Sequence, residues 1–514
     1  MLKSNVSVFI FGTNKSSEYM NFNAYLFIFL FNLPVFTVHG QTSVNPDSVL
    51  TEKPADSIQS IPKKTLVTAG LITGTNLGNW AFDKFVLNAS YADISLNTIK
   101  SNFRTGFVWD NDTFITNLFA HPYSGGLYFN AARNNGLNFW QSVPFIMGGS
   151  LIWEFFMENE PASINDFTTT FIGGACVGEI TYRISDLFID DRTVGFERFK
   201  REALLTIISP IRGLNRLLNG DACKHRNIKR NTTLPPSSII FYSTLGYRFM
   251  IDKSHINNDF SHMATYNIGL IYGDPYDLDN EKPYDFFSVQ LSGNFVTTES
   301  LMSRANILGL LLYKDIALRK PGSQLRFGLF QHLNYYDGSA DLRNVSVKPF
   351  KIAEAAAFGP GLLFKSKVTN DILFLSSAHL DAILMGGSQT DYFSFLKRDY
   401  NFGSGFSSKL NFEFRLDSKA KFLMNLEDYR IYSWTGINPA NNSVVSNVQG
   451  DICNASLDVV RVYFSYNMAK HFLLTAETSY YYRKNIYKYF PNVSHGVFGY
   501  TLSVGYIFRQ NTNK

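Results

Sequence analysis

The stretch Val497-Phe498-Gly499-Tyr500-Thr501-Leu502-Ser503-Val504-Gly505-Tyr506-Ile507-Phe508 separates into two chemically different faces. A β-strand sends alternate side chains to opposite sides. Phe498, Tyr500, Leu502, Val504, Tyr506 and Phe508 form an apolar, aromatic face, and Gly499, Thr501, Ser503, Gly505 and Ile507 form a face of mainly small or polar groups. The stretch is long, aromatic at both ends and close to the C-terminus. That combination predicts the closing strand of a transmembrane barrel, one face against lipid and the other toward a lumen.

The same alternation recurs upstream. In residues 402–417, Phe402, Ser404, Phe406, Ser408, Leu410, Phe412, Phe414 and Leu416 oppose Gly403, Gly405, Ser407, Lys409, Asn411, Glu413, Arg415 and Asp417. Phe287, Val289, Leu291 and Phe295 oppose Ser288, Gln290, Ser292 and Asn294, and Val460, Val462, Phe464, Tyr466 and Met468 oppose Arg461, Tyr463, Ser465 and Asn467. Roughly a dozen such stretches follow residue 237, each long enough for the ~9–11 residues that a tilted spanning strand needs. Some connections are tight, as at Asn370-Asp371 and Ser418-Lys419; others, such as 436–454, are long and polar. This asymmetry is that of outer-membrane barrels.

Composition agrees. Of 514 residues, 16% are aromatic, with 28 Tyr and 47 Phe, yet the mean hydropathy is only −0.07. Apolar residues placed at every second position give that balance, whereas a helical membrane protein would carry apolar runs of about 20 residues. The formal charge of +5 is mild, and no basic block or nucleic-acid motif accompanies it, which excludes nucleic acid as the expected partner. Cys176, Cys223 and Cys453 have no metal-ligand spacing; a Cys223–Cys453 bridge stays open.

Residues 25–38 are rich in Phe, Leu and Ile and end in Val38-His39-Gly40, followed by polar Gln41-Thr42-Ser43. This predicts a cleaved signal peptide over residues 1–40, with Met1 or Met20 as the start. A flexible leader over 41–64 follows, then a region of helical period over 65–221. A basic, Pro-containing linker over 222–236 precedes the barrel at 237–509.

The helical region carries an ordered set of uncommon residues: Trp109-Asp110-Asn111-Asp112, His121-Pro122-Tyr123, Tyr128-Phe129-Asn130-Ala131-Ala132-Arg133, Trp153-Glu154, Glu158, Ser163-Ile164-Asn165-Asp166, Gly173-Gly174 and Gly178-Glu179. Together these resemble an uncharacterised domain-of-unknown-function family found in envelope proteins of diderm bacteria. The resemblance covers about residues 100–220 and implies a helical module joined to an outer-membrane barrel; it brings no known reaction.

Each of these residues has a structural role open to it. Ser163 and Asp166 fit a capping box, and Gly174 and Gly178, four apart, allow close helix approach. Asp110 and Asp112 fit helix capping or a divalent cation. His121 precedes Pro122 at a predicted helix start. Glu154 and Glu158 lie four apart within a strongly apolar stretch. Burying both requires a partner: Arg133, Arg183 or a cation, an ion pair with one of the arginines being the leading expectation. The functional alternative is a catalytic site of His121, Glu154, Glu158 and Asp166. A second candidate, Ser377, His379 and Asp381, shares one face of the strand over 372–384. Same-face neighbours on a strand lie about 7 Å apart, too far for a direct Ser–His–Asp relay.

The sequence therefore predicts an α+β multidomain protein, an N-terminal all-α module followed by an antiparallel transmembrane β-barrel of about 12 strands. Its expected place is the outer membrane, with the module on the periplasmic side. The expected role is a non-enzymatic one, as a plugged or gated channel or in lipid or partner binding. A hydrolase acting on envelope lipid or glycan is the alternative. The expected partners are outer-membrane lipid and the barrel assembly machinery. No cofactor is expected, and a small-molecule ligand or a metal is left unspecified.

Overall fold

In the computed structural model, the change of hydrophobic period marks the change from helix to strand. The structure describes residues 62–511, apart from 111, 113, 228–232, 234–235, 253–258, 279–281, 296–301, 339–348, 393–399, 418 and 440–449. The expected signal peptide and the leader to residue 61 lie outside the described residues.

The module consists of α1 (Thr65–Phe85), α2 (Leu96–Thr105), α3 (His121–Asn134), α4 (Phe139–Ile152), α5 (Ile164–Asp186), α6 (Gly195–Ile208) and α7 (Pro210–Leu218). Local chemistry sets several of its boundaries. Ser95 with Thr98, and Asn138 with Gln141, form reciprocal caps at the starts of α2 and α4. Pro122 sits in the first turn of α3, just after the helical stretch widens into a π turn, a place where a residue without an N–H interrupts the ladder. Wide π-helical turns over Thr116–Ala120 and Trp153–Met157 run into α3 and out of α4.

α3 and α5 meet along a seam of glycines, as the spacing of Gly174 and Gly178 predicts. A Cβ on Gly125 would stand 2.0 Å from the Thr170 carbonyl oxygen, and one on Gly174 would stand 2.6 Å from Gly125 Cα. Both obstacles are backbone and cannot swing aside. Gly125→Val is therefore expected to push α3 off α5 and destabilise the module by about 3 kcal/mol or more. A shift of the module's chemical unfolding midpoint, with the barrel still resistant to SDS at room temperature, checks this.

The barrel strands are β1 (Ser238–Asp252), β2 (Asp259–Tyr272), β3 (Phe287–Asn294), β4 (Met302–Ile316), β5 (Ser323–Asp337), β6 (Lys351–Lys367), β7 (Ile372–Gln389), β8 (Tyr400–Leu416), β9 (Ala420–Ser433), β10 (Cys453–Ala469), β11 (Phe472–Tyr487) and β12 (Val493–Asn511). They close into a single antiparallel barrel in chain order, β12 pairing with β1 in register Phe249 to Tyr500 and Leu245 to Val504. The decisive stretch behaves as read: Tyr500, Leu502 and Val504 are exposed, while Val497, Ser503 and Ile507 are buried. Leu410, Phe414, Phe464, Tyr466 and Met468 are likewise exposed. All three cysteines are free thiols, so the Cys223–Cys453 bridge is not formed.

Inward-facing side chains reach across the lumen. Arg304 on β4 meets Glu477 on β11 at 3.3 Å; Tyr336 on β5 donates to Glu427 on β9 at 2.6 Å; Ser407 on β8 donates to Glu354 on β6 at 2.7 Å. These bridges fix which side of each strand is inside. On β5, Asn334 and Tyr336 point inward, so alternation turns Gln331, Leu333 and Tyr335 outward.

Those outward residues are nevertheless buried, because the helical module lies on them. Gln331 Nε2 donates to the Ile172 carbonyl of α5 at 2.7 Å, and the Tyr335 ring meets Phe114 and Phe119. Phe114 also packs on Tyr400 and Phe402 of β8, and the core it shares extends to Ala305, Ala353 and Ala355. Lower on the wall, Phe139 stacks on Tyr284 beside Tyr272 and Phe287. The module thus covers the outer wall from β2 to β8. A plug inside the lumen is the expectation this overturns, because the module–barrel contacts named here fall on outward positions.

α5 runs the height of that wall. Its C-terminal Arg183 pairs with Asp285 at 3.0 Å, at the barrel end carrying the short turns 368–371, 417–419 and 470–471. Near its N-terminus, Trp109 stacks on Trp434 and Tyr400 Oη donates to the Asp112 carbonyl, at the end carrying the longer connections 390–399 and 434–452. Among the described residues no helix is long and apolar enough to cross a membrane. The surface that the module turns away from the barrel still carries exposed Leu66, Phe82, Phe85, Trp140, Leu151 and Phe156.

Candidate functional site

The start of α5, the turn entering α3 and the turn leaving α4 converge at the long-connection rim. A short parallel bridge between Val108 and Ser163 brings the Trp-Asp-Asn-Asp segment to the start of α5. Ser163 caps α5 by accepting the Asp166 amide at 3.2 Å. The predicted reciprocal half of that box is replaced, because the Ser163 amide is held by Glu154 Oε2 at 2.8 Å. Asn165 holds the framework together: its Nδ2 faces Asp110, Asn117 Oδ1 at 3.1 Å and Asp166 Oδ1 at 3.0 Å, and its Oδ1 accepts Ser163 Oγ and the Asp110 amide.

Into this frame projects His121. Its Nε2 lies 3.0 Å from Asp166 Oδ1 and 3.5 Å from Asp112 Oδ2. Burial alone would lower the imidazole; the facing Asp166 carboxylate, and after it Asp112, outweigh burial and hold His121 well above its ordinary value. Asp166 is itself raised, by burial first and by the neighbouring Asp110 and Asp112. Burial pushes the Glu154 carboxyl up to about 7, against the opposing bond from Ser163. Glu158 also rises through burial and then through Glu154. The cluster holds protons because carboxylates outnumber cations in a dry place.

His121, Glu154 and Asp166 therefore share one cluster, with Asp112 as a further member. Glu158 stands at its edge, beyond the helix end, with its Oε1 bound to Trp153 Nε1 at 2.5 Å. The expected pairing of these glutamates with Arg133 or Arg183 is corrected. Both arginines clasp Glu179, each through Nε at 2.8 Å. Arg183 follows Glu179 by one turn of α5, so that pair forms locally, and Arg133 reaches it from the adjacent α3. The supporting amides of Asn117 and Asn165, and the barrel residues Tyr400 and Trp434, carry no signal in the sequence beyond Asn165 lying beside Asp166.

In the barrel, Ser377, His379 and Asp381 face the lumen but are not joined in a relay. Ser377 accepts from Asn411 at 2.8 Å. His379 lies edge-on to Phe330 and His332. Asp381 takes Lys409 Nζ at 2.7 Å, and the same ammonium reaches Glu354 at 2.8 Å. His332 lies 3.5 Å from Asp381. Neighbouring strands supply Glu354, His332 and Lys409, so no single stretch of sequence reveals this group.

Residues 106–211 match the family described as Domain of unknown function (DUF3943), which covers most of the helical module and none of the barrel. No curated protein matches the chain. Among solved structures, the chain is similar to a NanC porin (14% identity, 51% of this chain and 98% of that one, TM-score 0.26). It is also similar to the COG4313 outer membrane channel from Pseudomonas putida F1 (7% identity, 54% and 97%, TM-score 0.27) and to OmpT of Vibrio cholerae (8% identity, 53% and 98%, TM-score 0.23). The protein is a twelve-stranded barrel of the outer-membrane type with a helical module on its outer wall.

Proposed function

We propose that this protein binds outer-membrane lipid, its barrel acting as a closed anchoring wall and its helical module as the binding element. The observation that carries this reading is the burial of outward-facing Gln331, Tyr335, Tyr400 and Phe402 beneath the module. A module in that position stands among lipids. Its exposed aromatic and aliphatic side chains suit acyl chains, and the His121–Asp166 cluster near the rim suits a polar headgroup. In this reading the module is beside the barrel at bilayer level, where the sequence predicts a place on the periplasmic side. A photoactivatable lipid in reconstituted membranes is expected to label peptides containing Trp140, Leu151 or Phe156. Labelling confined to β9–β12 would sink the proposal.

Cross-lumen bridging supports the anchoring role over conduction. Arg304–Glu477 and Tyr336–Glu427 tie opposite walls together. Planar-bilayer recordings are expected to show no steady open level, and Glu477→Ala together with Arg304→Ala to create one; a wild-type channel of porin size would contradict the closed wall. One observation favours the hydrolase alternative. Glu154, with its carboxyl raised toward neutrality beside His121, has the protonation range of a general base. Loss of a lipid product in His121→Ala, without loss of lipid labelling, would move the reading from binding to catalysis.

A further inference from the structure

Elsewhere in this protein, several deeply buried carboxylates are met by a guanidinium. Glu179 has Arg133 and Arg183, Asp186 has Arg212 and Glu477 has Arg304. The lumenal pair Glu354 and Asp381 has Lys409. The rim cluster breaks this rule. Among the described residues, no Lys or Arg reaches ion-pair distance of Glu154, Glu158 or Asp166, and the basic group beside Asp166 is the imidazole of His121. Burying carboxylates without a cation is costly, and among the described residues Glu154, Glu158 and Asp166 are left with the His121 imidazole as their nearest basic group.

The donor geometry shows where a cation fits. One atom each from Asp112, His121 and Asp166 lies within 4.8 Å of the others. His121 Nε2 is buried and makes no well-aligned hydrogen bond, although it stands 3.0 and 3.5 Å from the two carboxylates. Those separations bracket the roughly 3.3 Å edge of a tetrahedron of N and O ligands at about 2.0 Å from a zinc-sized ion. We infer that Asp112, His121 and Asp166 bind one divalent transition-metal ion, leaving a fourth position toward the rim. An imidazole with two carboxylates suits Zn²⁺ or Mn²⁺ better than Ca²⁺ or Mg²⁺. The lumenal group of His332, Glu354 and Asp381 also offers three ligand atoms within reach, but Lys409 already supplies its positive charge.

The inference rests on reading the rim cluster as the functional site, and it would give that site a positive centre for an anionic headgroup. Its neighbours set its properties. Asn165 orients Asp166 through its Nδ2, and the Ser163 amide fixes the Glu154 carboxylate.

The test uses the tag-free full-length chain in detergent, stripped with chelator and titrated with ZnCl₂ by calorimetry. One equivalent is expected to bind, and Asp112→Asn and His121→Gln are each expected to weaken it at least about tenfold. His262→Gln, on β2, should bind as wild type. No binding at millimolar Zn²⁺, or wild-type binding in both site variants, overturns the inference. Should either variant lose the module's protease resistance, Co²⁺ added to the wild-type chain decides. Visible bands of a mixed N/O site, quenched by Zn²⁺, are expected, and their absence overturns it. Lipid labelling that persists in chelator with Zn²⁺ binding intact would separate the two proposals. Labelling without any metal binding would leave the lipid reading standing alone.

Discussion

Glu179→Gln is expected to unfold the helical module while the barrel stays closed. Glu179 is fully buried and is clasped by two arginines, Arg133 of α3 on both oxygens and Arg183 of its own helix on Oε1. Removing the charge leaves two guanidiniums facing each other across a neutral amide, with Arg183 also committed to Asp285 and the Pro283 carbonyl. Breaking a buried ion pair from one side costs about 3–5 kcal/mol. That is a large share of what a domain of this size has to spare. Protease should then cut the module while the barrel keeps its heat-modifiable migration. Replacing Glu179, Arg133 and Arg183 with Leu or Met, together with Asp285→Asn so that no charge is left without its partner, should recover much of the loss, since the cost lies in the uncompensated charge and not in the volume. Wild-type resistance of the module in Glu179→Gln would contradict the assignment.

The second large effect separates the two faces of β8. Leu410 is exposed on the outer wall, so Leu410→Arg is expected to cost about 2–4 kcal/mol if the site lies near the bilayer midplane and to lower the yield of folded barrel. Asn411, one residue on, faces the lumen and bonds to Ser377 and Asn425. Arg there should be tolerated much better. Ser407 shares the inward face but is fully buried between Glu354 and Lys409, and Arg at that position should behave worse than at Asn411. SDS resistance after refolding the three variants side by side gives the ranking. Equal damage at Leu410 and Asn411 would mean that the register is wrong.

Much of the barrel was legible because lipid and water impose opposite demands on alternate residues, and Val497 to Phe508 satisfies both. The position of the module was not legible for the same reason. Phe287, Tyr400 and Phe402 are apolar whether they meet acyl chains or the helices that cover them. The clues lay in smaller departures: Gln331 on an outward position, and Ala305, Ala353 and Ala355 where lipid-facing strands favour larger side chains. At the rim, Glu154 is legible as a charge in an apolar stretch, His121 as a residue before a helical proline and Asp166 as a capping acid, and the fold brings the three together. Glu154 and Glu158, as acids in an apolar stretch, point in the sequence to Arg133 and Arg183, but both arginines pair with Glu179. Glu179, four residues before Arg183, offered the shorter connection.

The wall beneath the module has a consequence for assembly. Around its circumference this cylinder is of two kinds, one arc finished for hydrocarbon and another for protein. Exposed on its own, the second arc would keep the Gln331 contact with Tyr284 Oη but would offer the Gln331 Nε2 amide to acyl chains, where its hydrogen bond to the Ile172 carbonyl cannot be replaced. With the module at bilayer level as proposed, the helices would dock before or during passage of the strands into the bilayer, since a finished cylinder already sealed by lipid would have to be stripped along that arc to receive them. A chain beginning at residue 237 is an incomplete membrane protein, although every strand of its cylinder is present.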